Sequence, residues 1–449
     1  MALLTKAPRG TADILPGDSF RIRSLENALA EIADTFGFKE IRTPVFEHTE
    51  LFNRSVGETT DVVQKEMYTF KDNGDRSITL RPEGTAGCAR AFLEHGLFNE
   101  PMPQKYFYHT SCYRYEKPQA GRLREFHQFG IECLGTQSPA ADAEIIALAQ
   151  HIFDFFELDD ISLEINSIGC PNCRKEYHKA LLNYFESKKG DLCETCLSRL
   201  ERNPMRILDC KSPVCSAIAK DAPVVLDFLC DECNNHFKSV QKYLDIMDID
   251  YKINPRIVRG LDYYTKTVFE FVSTGIGAQG TVCGGGRYDG LIEQLGGNSL
   301  PASGFGMGIE RLLLLLNAQH KELPEEPRLQ LYIAPASEEY SYEAMRIIND
   351  LRFDGVSALT DLENRSVKAQ MKYANKKKAM YTMILGGDEI ASHKATVKNM
   401  DNGETTEVSL DTFTEDFMHV MINAELAGIA DSGAGVNLND LTLLTGGKN

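Results

Sequence analysis

The stretch YRYEKPQAGRLREFHQFGIE, residues 113–132, decides how this chain folds. It lies within a run from Lys105 to Gly135 that alternates and is rich in aromatics, and its middle, KPQAGRLR (117–124), is basic and full of turn formers. Alternation interrupted by such a break predicts two long strands joined as a β-hairpin. Successive side chains on a strand point to opposite faces. Arg114 and Glu116 therefore share one face, Gln128, Gly130 and Glu132 share one face of the partner strand, and Phe129, Ile131 and Cys133 point into a core. If the polar faces coincide, one surface carries a guanidinium, an amide, two carboxylates and a glycine gap that a ligand can approach. That is a floor for a small zwitterion beside a phosphate. A solvated sheet face with ordinary ion pairs alternates in the same way, and the spacing does not choose between the two.

Working outward, RGTADILPGD (9–18) is followed by Phe20, Ile22, Leu25, Leu29, Ile32 and Phe36 at helical spacing, which predicts a helix of about five turns capped by Asp18 or Ser19. The next segment, FKEIRTPVFEH (38–48), reads as extended, and Pro44 suits a sheet edge, a natural place for a dimer contact. LRPEGTAG (80–87) sets Glu83 and Thr85 in a turn, where a carboxylate either holds an α-ammonium group or caps a helix. On the C-terminal side, FEFV (269–272), VCGGGRYDGL (282–291) and SGFGMGIERLLLLL (303–316) resume the sheet and end it in a helix, closing the large domain near Asn317.

In GFGMG, Gly304, Gly306 and Gly308 lie on one side of an extended strand, leaving bare backbone where a flat ring can stack or where another strand simply packs. Arg311 falls in the first turn of the following helix, a position suited to polyphosphate. In VRGLDYYTKT (258–267), Arg259 precedes two phenols, Tyr263 and Tyr264, able to hydrogen-bond an imidazole and an amine, although Tyr-Tyr is also ordinary core material.

Between about Gly169 and Asp248 the pattern is mainly helical and contains eight of the 12 cysteines, as CPNC, CETC, CKSPVC and CDEC. Four such knuckles supply enough thiolate for two tetrahedral zinc ions with no open position, hence a structural role. The simplest pairing unites Cys170, Cys173, Cys193 and Cys196, then Cys210, Cys215, Cys230 and Cys233; an interleaved pairing remains open. Cys88, Cys112, Cys133 and Cys283 read as buried free thiols.

After the linker HKELPEEP (320–327), LQLYIAP, a helix, VSALTD, a second helix, YTMILG, a hairpin around Asp401, Asn402 and Gly403 and a final helix predict a small α/β domain with a mostly parallel sheet. Lys368, Lys372 and Lys376 recur on one helix face beside Lys377 and Lys378, a stripe for RNA phosphates or merely a solvated face. The tail beyond Ala424 is expected to be loosely ordered. With 449 residues, 43% of them hydrophobic, the chain has material for several cores. A net charge of -17 excludes a general polyanion binder, so any nucleic acid must meet a local basic patch. No signal peptide or membrane span is visible, and a cytoplasmic location is expected.

Taken together these segments resemble histidyl-tRNA synthetase, a class II aminoacyl-tRNA synthetase. The segment around Pro44 is similar to class II motif 1, YRYEKPQAGRLREFHQFGIE to motif 2 and GFGMGIERLLLL to motif 3. RGLDYYTKTVFEF and GGGRYDGL resemble the two peptides peculiar to the histidine enzymes. The resemblance implies an α+β catalytic domain on a class II antiparallel sheet (1–168 and 249–320), the Cys-rich helical insertion (169–248), a C-terminal α/β anticodon-binding domain (327–424), a flexible tail (425–449) and a homodimer. It implies ATP with magnesium, histidine and tRNA(His) as ligands. Arg114, Glu116 and Arg311 would hold ATP, with Arg114 on the α-phosphate and Arg311 on the γ-phosphate, and Arg259 would approach the α-phosphate where other class II enzymes use a metal. Glu83, Thr85, Gln128, Glu132, Tyr263 and Tyr264 would surround histidine, Lys117 and Gln119 would meet the acceptor end, and the lysine stripe the anticodon arm. Relatives of this family also serve as non-catalytic regulatory subunits in histidine biosynthesis, typically without the anticodon domain; a third reading is a module that senses uncharged tRNA.

Overall fold

The computed structural model describes residues 4–57, 60, 62–208, 210, 212–257, 259, 261–275 and 280–432. They fall into two compact units, Met1–Glu325 and Glu326–Asn449.

The predicted hairpin forms the centre of the first unit: strands Gln104–Tyr113 and Glu125–Leu134 pair antiparallel, with Tyr108 opposite Gly130 and Thr110 opposite Gln128. An eight-stranded sheet grows from it in the order Lys39–Glu40, Gln104–Tyr113, Glu125–Leu134, Ala302–Gly308, Thr281–Arg287, Thr265–Ser273, Ile161–Ser167, Lys252–Ile253. Only the two short edge strands run parallel to their neighbours. As the alternation requires, Phe129, Ile131 and Cys133 are buried, and with Phe305, Met307, Phe269 and Phe271 they pack under helices Pro16–Thr35, Pro139–Phe155 and Ile309–Ala318. Each such side chain contributes about 1.5–3 kcal/mol on leaving water, so this face fixes the register that aims the other one.

Several expectations are corrected. The first helix begins at Pro16 with Leu15 as its N-cap and has no side-chain cap; the fixed φ of proline starts the helix, and Asp18 lies inside its first turn instead. FKEIRTPVFEH is not one strand: Lys39–Glu40 edges the large sheet, and Phe46–His48 joins a separate three-stranded sheet with Ser77–Leu80 and Tyr68–Lys71, the chain redirecting around Pro44. The insertion is helical as expected, but it divides. Tyr177, Leu181, Phe185, Leu200 and Ile207 form a small core of their own, whereas the last helix, Asp231–Ile246, sends Phe237, Val240 and Leu244 into the main core.

In the second unit, parallel strands Leu331–Pro335, Ala358–Thr360 and Tyr381–Leu385 are extended by the antiparallel hairpin Lys394–Asn399 and Thr405–Ser409. The final helix, Phe413–Ser432, runs past the expected boundary at Ala424; the rest of the expected tail, 433–449, lies outside the described residues.

Candidate active site

The polar face of the sheet floors a cavity lined by Glu83, Thr85, Arg114, Glu116, Gln128, Arg259, Tyr263, Tyr264 and Arg311, together with Phe126, Gly284, Gly306 and Gly308. Residues from five separate segments thus converge as their types suggested. Glu132 does not line the opening. It lies beneath, buried, accepting a hydrogen bond from the Tyr108 hydroxyl (2.9 Å) and another from Tyr288. Burial pushes its carboxyl up to about 8 against the pull of these phenols, and the nearby Glu83 adds to the rise.

Of the two readings of the glycine strand, close packing is the one that Gly304 and Gly306 follow. A Cβ at Gly304 would stand 2.2 Å from Glu132 Oε2, one at Gly306 1.9 Å from Gln128 Nε2, and one at Gly130 2.1 Å from the Tyr108 ring. Protein side chains fill those three gaps, and of the motif's glycines only Gly308, whose Cβ would meet nothing nearer than 3.7 Å, keeps clear room beside Arg311. Gly284 serves in the same way, since a Cβ there would lie 2.5 Å from the Arg259 guanidinium. These glycines allow long polar side chains to lie flat across the sheet.

Glu83 caps a helix and faces the cavity as well. Its carboxylate accepts from the backbone N–H groups of Thr85 and Ala86 (2.8 Å each) at the start of helix Thr85–Glu94, and it also lines the cavity. Burial raises its pKa, with the two backbone donors opposing. Tyr263 and Tyr264 pack against each other with ring centres 4.7 Å apart, and Tyr263 meets Tyr288 at 5.4 Å.

Four guanidinium groups reach the cavity, those of Arg114, Arg259 and Arg311 and, from the hairpin loop, that of Arg122. Arg259 is paired with Glu270 and sits 5.6 Å from the Tyr264 ring centre. Burial disfavours its charge, but Glu270 and Tyr264 together outweigh this and raise its pKa. Thr281 Oγ1 donates to the other Glu270 oxygen at 2.9 Å. Arg114 donates through Nε to the Pro82 carbonyl (2.8 Å) and lies over Phe126. Arg311, in the first turn of Ile309–Ala318, donates to the Thr281 carbonyl at 2.5 Å, and burial lowers its pKa. Each of these three is held at one edge by these contacts and lines the cavity in a fixed orientation. Lys117 and Gln119 stand exposed on the hairpin loop and do not line the cavity, whereas Glu116 and Arg122, which do, pair with each other. Lys368, Lys372 and Lys376 are exposed on helix Val367–Lys376.

Glu270, Tyr108, Tyr288 and Phe126 were missed from sequence. The FEF alternation places Glu270 on the polar face, and Tyr108 has the parity of Gln128 through the hairpin register, so both carried a readable signal. Tyr288 did not, because its contact reaches over an intervening strand, Ala302–Gly308, far away in sequence.

The cysteines form two quartets, but nested rather than sequential: Cys170, Cys173, Cys230 and Cys233 enclose Cys193, Cys196, Cys210 and Cys215, and within each all sulfurs lie within 4.8 Å. The sequential pairing fails because the helix from Pro171 to Glu186 carries the chain away from the first knuckle, and Asp231–Ile246 brings the last one back to it. Sulfurs around one tetrahedral zinc stand about 3.8 Å apart; Cys170–Cys173 at 3.6 Å and Cys193–Cys210 at 3.8 Å fit that. Backbone N–H groups donate to Cys173 from Cys230 (3.1 Å) and to Cys215 from Cys193 (3.2 Å), orienting those sulfurs. Cys88, Cys112, Cys133 and Cys283 are buried free thiols, as read.

The family model described as histidyl-tRNA synthetase matches residues 10–312, and that described as anticodon binding domain matches 330–417. The histidine–tRNA ligase of Clostridium novyi (strain NT) is 56% identical over 410 residues, covering 91% of this chain and 98% of that protein. That of Caldanaerobacter subterraneus subsp. tengcongensis is 54% identical over 409 residues, with the same shares. Among solved structures, apo S. aureus histidyl-tRNA synthetase aligns with a TM-score of 0.79 at 42% identity, covering 92% of this chain and 100% of that one.

Proposed function

This chain belongs to the histidyl-tRNA synthetase family, and from that premise we propose how its residues divide the work of a histidine–tRNA ligase. The observation that carries the reading is the convergence of Arg114, Arg259 and Arg311 with Glu83 and the tyrosine pair on one cavity. Histidine lies on the Tyr263–Tyr264 side, its α-ammonium group at Glu83 and Thr85 and its imidazole toward Gln128, with Glu132 behind. ATP, accompanied by magnesium, lies along the arginines with Glu116 beside it, Arg311 on the γ-phosphate and Arg114 on the α-phosphate. A carboxylate oxygen of histidine attacks the α-phosphorus in line, the bond to the bridging oxygen breaks and pyrophosphate leaves. Arg114 and Arg259 balance the charge that grows on the transferring group. The terminal ribose hydroxyl of tRNA(His) then attacks the adenylate carbonyl and AMP departs, with Lys117 and Gln119 steadying the acceptor end. Discrimination comes from the buried polar ring partners, which a side chain without hydrogen-bonding nitrogens leaves unpaired.

The lysine stripe at 368, 372 and 376 meets the anticodon arm. Each cysteine quartet holds a structural zinc ion, which closes the insertion's small core; the sulfur spacing supports this. The chain pairs as a homodimer through the segment around Pro44, where Val45 and Phe46 are exposed apolar residues. A reducing cytoplasm suits the free thiols, and no helix among the described residues is long and apolar enough to cross a membrane. The regulatory-subunit reading gains no support, since the anticodon-binding match is present and the arginines are in place.

Histidine-dependent ATP–pyrophosphate exchange tests the assignment. Arg259→Ala should reduce it by about 10³-fold, the scale of losing a transition-state donor, with an unchanged far-UV circular dichroism spectrum. Near-normal exchange by that variant refutes the role given to Arg259.

A further inference from the structure

The cavity wall that bears the tyrosine pair is held from behind by the Cys-rich insertion. Arg206, in the turn Pro204–Ile207, donates to Asp262 Oδ1 at 2.7 Å. Arg174, one residue beyond Cys173, donates to the backbone carbonyl of Tyr264 at 3.1 Å. Lys266 pairs with Glu232 at 2.8 Å, and its backbone bonds in both directions with the Ile168–Gly169 entry to the insertion. The attachments therefore fall at 262, 264 and 266, every second residue along the segment whose tyrosines face the cavity. On its other flank Asp262 is pressed against Gly57, where a Cβ would stand 2.7 Å from Oδ2.

The insertion has a fixed footing from which to hold this wall. His236, on helix Asp231–Ile246, meets Asp142 at 2.8 Å, and Asp142 is locked by the fully buried Arg287 at 2.6 Å. The ATP side is anchored differently: Arg114 to Pro82, Arg311 to Thr281 and Arg259 to Glu270, all outside the insertion.

We infer that the Cys-rich insertion braces the amino-acid side of the cavity, with Arg174 and Arg206 as positioning residues for histidine and without effect on ATP. The inference rests on the reading that Tyr263 and Tyr264 hold histidine. A brace that differs between free and bound wall states also couples the two sites reciprocally, so histidine binding must quieten the insertion.

The test uses the full-length, metal-loaded protein. In pyrophosphate exchange, Arg206→Ala and Arg174→Ala are expected to raise KM for histidine about five- to tenfold, the lower range of site-to-site coupling. KM for ATP and kcat should stay within about twofold, and Arg206→Lys, which keeps the charge at Asp262, should recover most of the loss. Hydrogen–deuterium exchange supplies the second readout. Histidine should slow exchange in Pro171–Glu186 of the wild type and do so less in Arg206→Ala. Unchanged histidine KM and unchanged exchange in both alanine variants overturn the brace. Equal rises in both KM values also overturn it, by showing general loosening. Tyr264→Phe separates the two levels: if it leaves histidine KM unaltered the pocket reading itself fails, and if it raises KM while Arg174→Ala and Arg206→Ala do not, the brace alone fails.

Discussion

Replacing Glu132 by glutamine should change how the stability of the catalytic unit depends on pH. Glu132 is buried, with one oxygen 2.9 Å from the Tyr108 hydroxyl and the other bonded to Tyr288. Glutamine keeps the shape and can accept one phenol bond, but it cannot ionise. The wild-type carboxyl is raised from 4.5 to about 8 by burial. Below pH 4.5 folded and unfolded chains both keep the proton, and the group adds no pH dependence. Above that value the unfolded chain loses the proton while the folded chain retains it until about pH 8. Stability is therefore lost as pH rises through this window, at about 1.4 kcal/mol per pH unit. Between pH 5 and pH 7.5 that amounts to roughly 3 kcal/mol. Urea denaturation followed by circular dichroism at pH 5, 6, 7 and 7.5 measures it: the wild-type minus variant difference should fall by about this amount across the series. Glu83, also raised by burial, is present in both proteins and cancels. Parallel curves for the two proteins would show that Glu132 is ionised in the folded state throughout, and the reasoning from burial would be wrong.

The nested quartets distinguish themselves by stoichiometry: native mass spectrometry should find one zinc ion in Cys170→Ser/Cys233→Ser, whereas the sequential pairing predicts none. Gly306→Ala places a Cβ where Gln128 Nε2 now lies, 1.9 Å away; Gln128 must swing off the floor, and histidine KM in pyrophosphate exchange should rise at least about tenfold, the cost of one lost buried polar contact. Replacing Lys368, Lys372 and Lys376 with alanine should weaken tRNA binding, shrink its salt dependence by up to about three phosphate contacts and leave tRNA-independent pyrophosphate exchange unchanged; an unaltered salt slope in filter binding rejects the stripe as an RNA contact.

Sequence by itself determined whatever is local and periodic. The period-2 run on either side of Arg114 specified the hairpin, its buried face and the residues on its polar face, because pleat geometry leaves no freedom once one side is apolar. The helical spacing after Pro16, the lysine stripe and the cysteine knuckles were legible for the same reason, and the motif resemblance supplied the chemistry. Tertiary structure alone decided what depends on segments distant in sequence meeting in space. Glu270 lies on the strand that the Arg259 loop leads into, and it is the fold of that loop back over the strand that brings the two together. Tyr288 reaches Glu132 over the intervening strand Ala302–Gly308, and Gly304 and Gly306 turn out to make room for Glu132 and Gln128. The nesting of the cysteines and the grip of Arg174 and Arg206 on the tyrosine segment follow from where helix Asp231–Ile246 returns to the core. Knuckle spacing records which thiols are neighbours along the chain, and the path of the helices between them sets which thiols share an ion.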